Sequence, residues 1–476
     1  MRLHISESGQ MAPYATLSYC WGGDQLFKTT AENFLLMQES LDYNSLPKTI
    51  QDAILVTRQI GLRYLWIDAL CIIQDSQTDI AYWINRMDSV YSDCTICIGA
   101  AVAKVVSEGF LRPPRQHPRA VKLPFDFNKG GKGHVWATRD RSSVDPEPLF
   151  QRAWAFQERY LSPRLLMYTQ NGLMWECWEK CESVTNDCSS YYYKTMLSRT
   201  RNSRPLNSKG QAMLSRTRKS RPLNSKGQDA LKVTLAEWHD AVTEYSGLLA
   251  TFSSDKLPAL AGIARKFHSM RTGTYLAGLW EENLWFQLSW YRCCGDETFF
   301  PPDDGTPSWS WSSVNARTIF PDPEHLGDFL RFDPSSRVKV HMCDTILESY
   351  EAPFGKVKGG TLEVEAFLFP VSQLPLSWRN TTVMDDNAKE LEFGFGDERD
   401  DILCMVIGVR HPKAKQWGAG ADEGIFLIPT NSNSDTFRRI GFFSSYNYIG
   451  YGKSPHTPKV LMDLPAQAVR RRITII

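Results

Sequence analysis

Two periodicities alternate along the first 170 residues: short apolar runs, and stretches in which apolar positions recur every three or four residues. Residues 15–20 form a short apolar run that opens into Trp21-Gly22-Gly23, predicting a strand and a turn. Pro47 predicts a helix start, with Asn44 or Ser45 as cap and Gly61 as its end. Its inner face would be Leu46, Ile50, Ala53, Ile54 and Ile60. Residues 63–73 are apolar on both parities and predict a buried strand. Ile80, Trp83, Ile84, Met87, Val90, Tyr91 and Cys94 share one helical face, and residues 95–101 predict another buried strand. After an excursion rich in Pro, Gly and charge (107–150), a helix over 152–161 stops before Pro163 and a strand follows over 164–169. Four strands alternating with three helices predict a parallel sheet covered on both faces. Ligands of such sheets bind beyond the carboxyl ends of the strands, where Trp21-Gly-Gly23 and the stretch from Asp68 onward both fall.

The pattern changes further on. Residues 196–211 recur as 213–228 with one difference, Asn202 against Lys219. The repeat is basic, without an acidic residue, and a single tandem copy is no solenoid, so a mobile, disordered insertion is expected. Beyond it, Leu235, Trp238, Val242, Tyr245 and Leu249 predict a helix over 231–249, and residues 257–268 a second. Past Tyr275 the chain breaks into short runs rich in Trp, Phe and Val between Gly, Pro and Asp; 361–371, 402–409 and 424–429 predict antiparallel strands. The expected organisation is an α/β region over 1–190, the basic insertion over 191–228, and a helical then β-rich region over 229–476.

Charge narrows the classes of partner. Lys plus Arg numbers 54 against 53 for Asp plus Glu, so no global field recruits nucleic acid or an anionic membrane. The basic repeat leaves nucleic-acid binding as a weak third reading. No apolar run reaches the roughly 18 residues of a membrane span. Residues 1–10 lack a basic start with an apolar stretch behind it. The expectation is a soluble cytoplasmic protein whose 11 cysteines are reduced thiols. Cys94 and Cys97 have the spacing of a metal or redox pair, but positions three apart on a strand face opposite sides. Cys177, Cys181 and Cys188 lack a fourth ligand at a usual interval, and no metal is expected.

Elimination leaves carboxylates. The chain has no nucleophile elbow, phosphate loop, dinucleotide fingerprint or His-Glu-x-x-His, and none of its nine His residues falls in the aromatic-rich blocks 14–23, 63–75 and 152–159. On the helix over 152–161, Ala153, Phe156, Gln157 and Tyr160 mark the core arc at 100° per residue, with Glu158 just outside it and one turn beyond Trp154. Glu158 there either meets a ligand beside an indole or forms a surface pair with a nearby Arg. Asp68 sits in an apolar run and needs partners: it caps the following turn or holds a ligand. Ser18, Tyr19 and Trp21 at the first strand end line the same site, or Tyr19 and Trp21 simply cover core.

In this order, Leu17-Ser-Tyr-Cys-Trp-Gly22, Leu46-Pro-Lys-Thr-Ile-Gln-Asp-Ala53, Gly61-Leu-Arg-Tyr-Leu-Trp-Ile-Asp-Ala-Leu-Cys-Ile-Ile-Gln-Asp75, Met87 with Tyr91-Ser92, Arg152-Ala-Trp-Ala-Phe-Gln-Glu158 and Leu161-Ser-Pro-Arg164 closely resemble the HET domain of fungal heterokaryon incompatibility. Leu257-Pro-Ala-Leu260, Tyr275-Leu-Ala-Gly-Leu-Trp280 and Pro307-Ser-Trp-Ser-Trp311 resemble regions that often follow such domains. The resemblance implies non-self recognition and the cell death that follows incompatible hyphal fusion. HET domains are remotely similar to TIR domains, some of which cleave NAD+ with a Glu that follows a Trp on the helix after the third strand. Trp154 and Glu158 occupy the corresponding helix. The carry-over implies Glu158 as the catalytic group on the ribose, Trp21 or Trp154 stacking on a ring, and Asp68 positioning the ribose or a loop. NAD+ would then be a substrate, with no resident cofactor. The connection over 102–151 is long for a TIR-like crossover. Two readings follow: a self-associating cell-death effector that cleaves NAD+, or a non-enzymatic module that signals by assembly with other incompatibility proteins.

Overall fold

The computed structural model describes residues 1–112, 121–126, 132–137, 147–177, 181–183, 228–250, 252–269, 273–293, 305–320, 338–374, 383–384, 401–410, 421–431, 435–444 and 468–476. The two basic copies and the Cys177, Cys181 and Cys188 set extend outside these residues. Two units divide the chain, Met1–Arg221 and Pro222–Ile476.

The first unit is built on a six-stranded sheet. Its strands are β1 (Tyr14–Ser18), β2 (Tyr64–Trp66), β3 (Ile96–Gly99), β6 (Arg164–Thr169), β7 (Gly172–Cys177) and β8 (Cys181–Ser183), in the order β2-β1-β3-β6-β7-β8. The first four are parallel, and β7 and β8 add antiparallel strands at one edge. The expected parallel sheet is therefore present. A separate hairpin, β4 (Val121–Asp126) with β5 (Lys132–Ala137), occupies part of the excursion before the next helix.

Helices lie between the strands. They are α1 (Phe34–Glu39), α2 (Lys48–Gln59), α3 (Asp68–Cys71), α4 (Gln77–Ile84), α5 (Met87–Ser92) and α6 (Ala153–Leu161). Helix α2 ends as its sequence predicts: Gly61 takes φ +81°, Gly61 N–H donates to Arg58 O and Leu62 N–H to Thr57 O. Its expected cap residues, Asn44 and Ser45, instead lie in a preceding 3₁₀ turn, and Pro47 holds the capping position.

Strand parity sorts the two faces of β1. Ala15 and Leu17 pack with Leu46, Ile50, Ala53 and Val56 in the core on the α2 side. Thr16 and Ser18, also buried, point to the other face, where α5 packs against α6 and α6 against β1.

Two expectations are corrected here. The apolar run 63–73 is a strand only over Tyr64–Trp66; from Asp68 it coils into α3, whose turn gives the Asp68 carboxylate a backbone donor that a strand would not. The single helix expected over 80–94 breaks at Asn85–Arg86 into α4 and α5. Only α5 buries side chains (Met87, Val90 and Tyr91), while Ile80, Trp83 and Ile84 stay half-buried.

The second unit starts with α7 (Gln228–Tyr245) and α8 (Ala261–His268). Leu235, Trp238, Val242 and Tyr245 are buried as expected; Leu249 lies beyond the helix and is exposed. Two short hairpins follow, β9 (Tyr275–Leu276) with β10 (Leu279–Trp280), and β11 (Tyr291–Arg292) with β12 (Thr318–Ile319), with α9 (Leu284–Gln287) between them. Trp238, Trp280, Trp290, Trp309 and Trp311 have no exposed surface. Trp238 and Trp311 both donate their indole N–H to Gly278 O (3.2 and 2.9 Å), so the Tyr275–Trp280 and Pro307–Trp311 blocks are core.

The larger sheet contains β13 (Val338–Leu347), β14 (Val357–Pro370), β15 (Val383–Met384), β16 (Leu403–Arg410), β17 (Ala421–Pro429), β18 (Thr436–Ser444) and β19 (Val469–Ile475). Pairing runs β14-β16-β17-β18-β19 and back to β14, which closes a barrel. With five strands, one pair must be parallel, and it is β18 with β19. The expected β-rich region is thus a barrel with β13 and β15 added outside the closed circuit.

Candidate functional site

The site gathers where β1 and β2 end. After Ser18 the chain turns through Trp21-Gly22-Gly23, with Gly22 at φ +77°. A Cβ at Gly22 would lie 2.1 Å from Val105 Cγ1, so only glycine lets this turn press against residues 105–106. Val106 N–H donates to Trp21 O there at 3.3 Å. The turn sends the Trp21 indole across to the neighbouring strand end, where its Nε1 donates to Asp68 Oδ2 at 2.9 Å. Asp68 Oδ1 accepts from Ala69 N–H at 2.7 Å. Tyr19, buried under the turn, also hydrogen-bonds Asp68 and receives Gln25 Nε2 on its hydroxyl at 2.8 Å.

Asp68 bonds the backbone of the following turn, as the capping reading expected. One oxygen satisfies the first turn of α3, and the other faces Trp21 and Tyr19. The residue keeps some solvent contact, yet protein crowds its carboxyl. Burial raises its pKa, against the opposing pull of Ala69 N–H, Trp21, Tyr19 and the Arg152 charge. Burial, then the Asp68 charge, likewise push the Tyr19 phenol well above its ordinary value.

Glu158 approaches from α6. The arc expected from the helical wheel is corrected by the packing: α6 is buried nearly all round, Glu158 included, and Tyr160, expected in the core arc, is only half-buried. A wheel assumes one wet face, whereas α6 is flanked by both α5 and β1. The carboxyl of Glu158 hydrogen-bonds the Ser18 and Tyr91 hydroxyls. Burial lifts its pKa to about 7, and the Asp68 charge adds to that; Ser18, Arg152 and Tyr91 oppose it. Glu158 is buried rather than on the surface, and among the described residues no Arg forms an ion pair with it; the adjacent Arg159 pairs instead with buried Glu176 at 2.9 Å. Trp154 is half-buried one turn before Glu158 on the same helix.

The structure thus joins Ser18 to Glu158, and Tyr19 and Trp21 to Asp68. The two carboxyls sense each other through space. Sequence reasoning missed three groups. Arg152 donates Nη1 to Tyr19 O at 2.6 Å and carries the cation felt by both carboxyls. It stood in the same block as Glu158, without an assigned role. Tyr91 reads from its helical spacing only as core, and Gln25 gives no signal, because its partner is the Tyr19 hydroxyl rather than any periodic face.

Another block proves structural. Asp52, buried on α2, accepts Phe110 N–H at 2.8 Å and Leu111 N–H at 3.1 Å, and Thr49 Oγ1 accepts Gly109 N–H at 3.2 Å. These bonds clamp residues 109–111 onto α2. Among the described residues no group of three or more His, Cys, Asp or Glu is placed to hold a metal, and no helix is long and apolar enough to cross a membrane.

Residues 14–158 match the family model for the heterokaryon incompatibility protein (HET). No curated protein and no solved structure matches the chain.

Proposed function

From a chain that carries a HET domain over residues 14–158, the domain associated with heterokaryon incompatibility, we propose a self-associating, cytoplasmic cell-death effector of fungal non-self recognition that cleaves NAD+. Water would replace nicotinamide at the ribose C1′, giving nicotinamide, ADP-ribose and a proton. The observation that carries this reading is Glu158, a buried carboxyl raised to about 7 and hydrogen-bonded by Ser18 and Tyr91 at the end of a parallel strand. As nicotinamide leaves, positive charge builds on the ribose, and a carboxylate shielded from water is its strongest available counter-charge. The half-buried indoles of Trp21 and Trp154 supply faces for a ring, and Asp68, held by Trp21, would take a ribose hydroxyl. The likeness to TIR domains remains part of this proposal and rests on the order of elements and on the Trp154–Glu158 spacing.

The test is NAD+ consumption by concentrated full-length protein, wild type beside Glu158→Gln, with folding followed by circular dichroism. Loss of turnover in a folded variant supports the hydrolase. Equal turnover moves the catalytic group elsewhere. No turnover from either, with wild type self-associated, favours the second reading, in which the domain signals by assembly with other incompatibility proteins and Glu158 and Asp68 are structural.

A further inference from the structure

Arg152 brings a positive charge to the middle of the site without a counter-ion of its own. Its guanidinium donates to Tyr19 O at 2.6 Å and to the Cys20 thiol. Neither partner is an anion, and a guanidinium has five N–H donors in a planar fork. Among the described residues no carboxylate is paired with it, although other arginines of this unit have theirs: Arg159 takes Glu176 and Arg112 takes Glu108.

The surroundings favour an incoming anion. Tyr19, Cys20, Asp68 and Glu158 all feel the Arg152 charge. Asp68 and Glu158 are the groups that would repel an anion; burial raises both, and for Glu158, lifted to about 7, this lowers the charge at neutral pH. Beyond Tyr19 and Cys20, the chain passes through Gly23 at φ +127°, where a Cβ would meet nothing within 4 Å. Bare backbone thus lies a few residues from a half-buried fork of donors.

We propose that Arg152 is the phosphate-recognising residue of this site, so that its ligand is a pyrophosphate-bearing nucleotide rather than a nucleoside. The inference takes the identity of the reacting bond from the NAD+ reading above, but the anion specificity stands on Arg152 alone. Planar, bidentate donation to phosphate oxygens is the interaction a free guanidinium edge makes best.

Calorimetric titration of the full chain tests it with ADP-ribose, adenosine and inorganic pyrophosphate as probes. Wild type should bind ADP-ribose at least about tenfold more tightly than adenosine, with pyrophosphate competing and added salt weakening only the phosphate-bearing ligand. Arg152→Gln should abolish the preference, and Arg152→Lys should keep part of it. In turnover assays Arg152→Gln should raise KM for NAD+ more than it lowers kcat. Equal affinity of wild type for ADP-ribose and adenosine overturns the inference, and needs no variant to fold. Unchanged ADP-ribose affinity in folded Arg152→Gln also overturns it. The two proposals can fail separately: Arg152-dependent ADP-ribose binding without NAD+ cleavage removes the hydrolase and keeps this inference, whereas cleavage with an unchanged KM in Arg152→Gln does the reverse.

Discussion

The indole of Trp21 and the carboxylate of Asp68 form one hydrogen bond, 2.9 Å long, between the ends of adjacent parallel strands. Through it, the turn after β1 orients the first residue of α3. Replacing Trp21 by Phe keeps a ring and deletes the donor. The Asp68 carboxyl then rises further, because a group that favours its charged form is gone. We expect a loss of about 1 kcal/mol, seen as a fall of about 2–4 °C in the apparent melting temperature of the domain. An unchanged melt and an unchanged Asp68 titration by NMR would show that the bond does not orient Asp68 in solution.

Glu158 predicts a pH dependence of stability. Its ordinary value is 4.5 and its folded value about 7, so the folded protein holds more protons between these limits. Stability present below about pH 4.5 is therefore lost as pH rises through 7. Glu158→Gln cannot ionise and should lack this loss, making it the more stable protein at pH 8 by roughly 2–3 kcal/mol. Melting curves from pH 5 to 8.5 measure the difference. A variant less stable than wild type at pH 8 would give Glu158 a structural role.

Gly22 should tolerate no side chain. Gly22→Ala places a Cβ at φ +77° against Val105, so the turn must move and carry Trp21 with it. The proposed ligand binding and NAD+ turnover should fall by more than tenfold on the scale of a misplaced site residue, while circular dichroism retains the fold. Binding equal to wild type would detach the turn from the site.

Asp52 should behave as a structural residue. Asp52→Ala leaves the Phe110 and Leu111 N–H groups without their acceptor and should cost about 3 kcal/mol. The molecules that remain folded should bind ligand normally. The Lys48 partner contributes little, since it lies half in solvent. Reduced affinity per folded molecule, by active-site titration, would bring Asp52 into the site.

In the second unit Arg439 is buried; it donates to Leu288 O at 2.8 Å and Trp290 O at 2.5 Å, and stacks 3.3 Å over the Trp290 ring. Arg439→Lys keeps the charge but loses the fork and the stacking face. Denaturant melts should show that unit weakened by about 2 kcal/mol.

Much of the parallel sheet was legible because strands buried on both faces leave continuous apolar runs, as in β3. The helix over 153–161 was legible from Pro163 and the aromatic-rich block 152–159. What the pattern hid was the change of state at Asp68: Ala69, Leu70 and Cys71 are as apolar as a strand, and only the carboxylate marked the turn. The break at Asn85–Arg86 was hidden for the opposite reason, since both short helices keep one helical phase. Of the site, Ser18, Tyr19, Trp21, Asp68 and Glu158 could be named because polar groups at the ends of apolar runs need a reason to be there. Arg152 and Gln25 could not be given roles, because their partners, Tyr19 O and the Tyr19 hydroxyl, are set by tertiary contact rather than by spacing.

The barrel circuit of the second unit sets an order of events during synthesis. Strand β14 finds one of its partners within the circuit in β19, so Leu362 waits for Ile475 and Leu368 for Val469. A growing chain that has reached β18 still carries open edges on both β14 and β18, and can seal neither until residues 469–475 have left the ribosome. Contacts so distant in sequence form slowly. A premature stop between β18 and Val469 would therefore leave those two strand edges exposed, and aggregation rather than a trimmed working barrel is the expected fate of such a product.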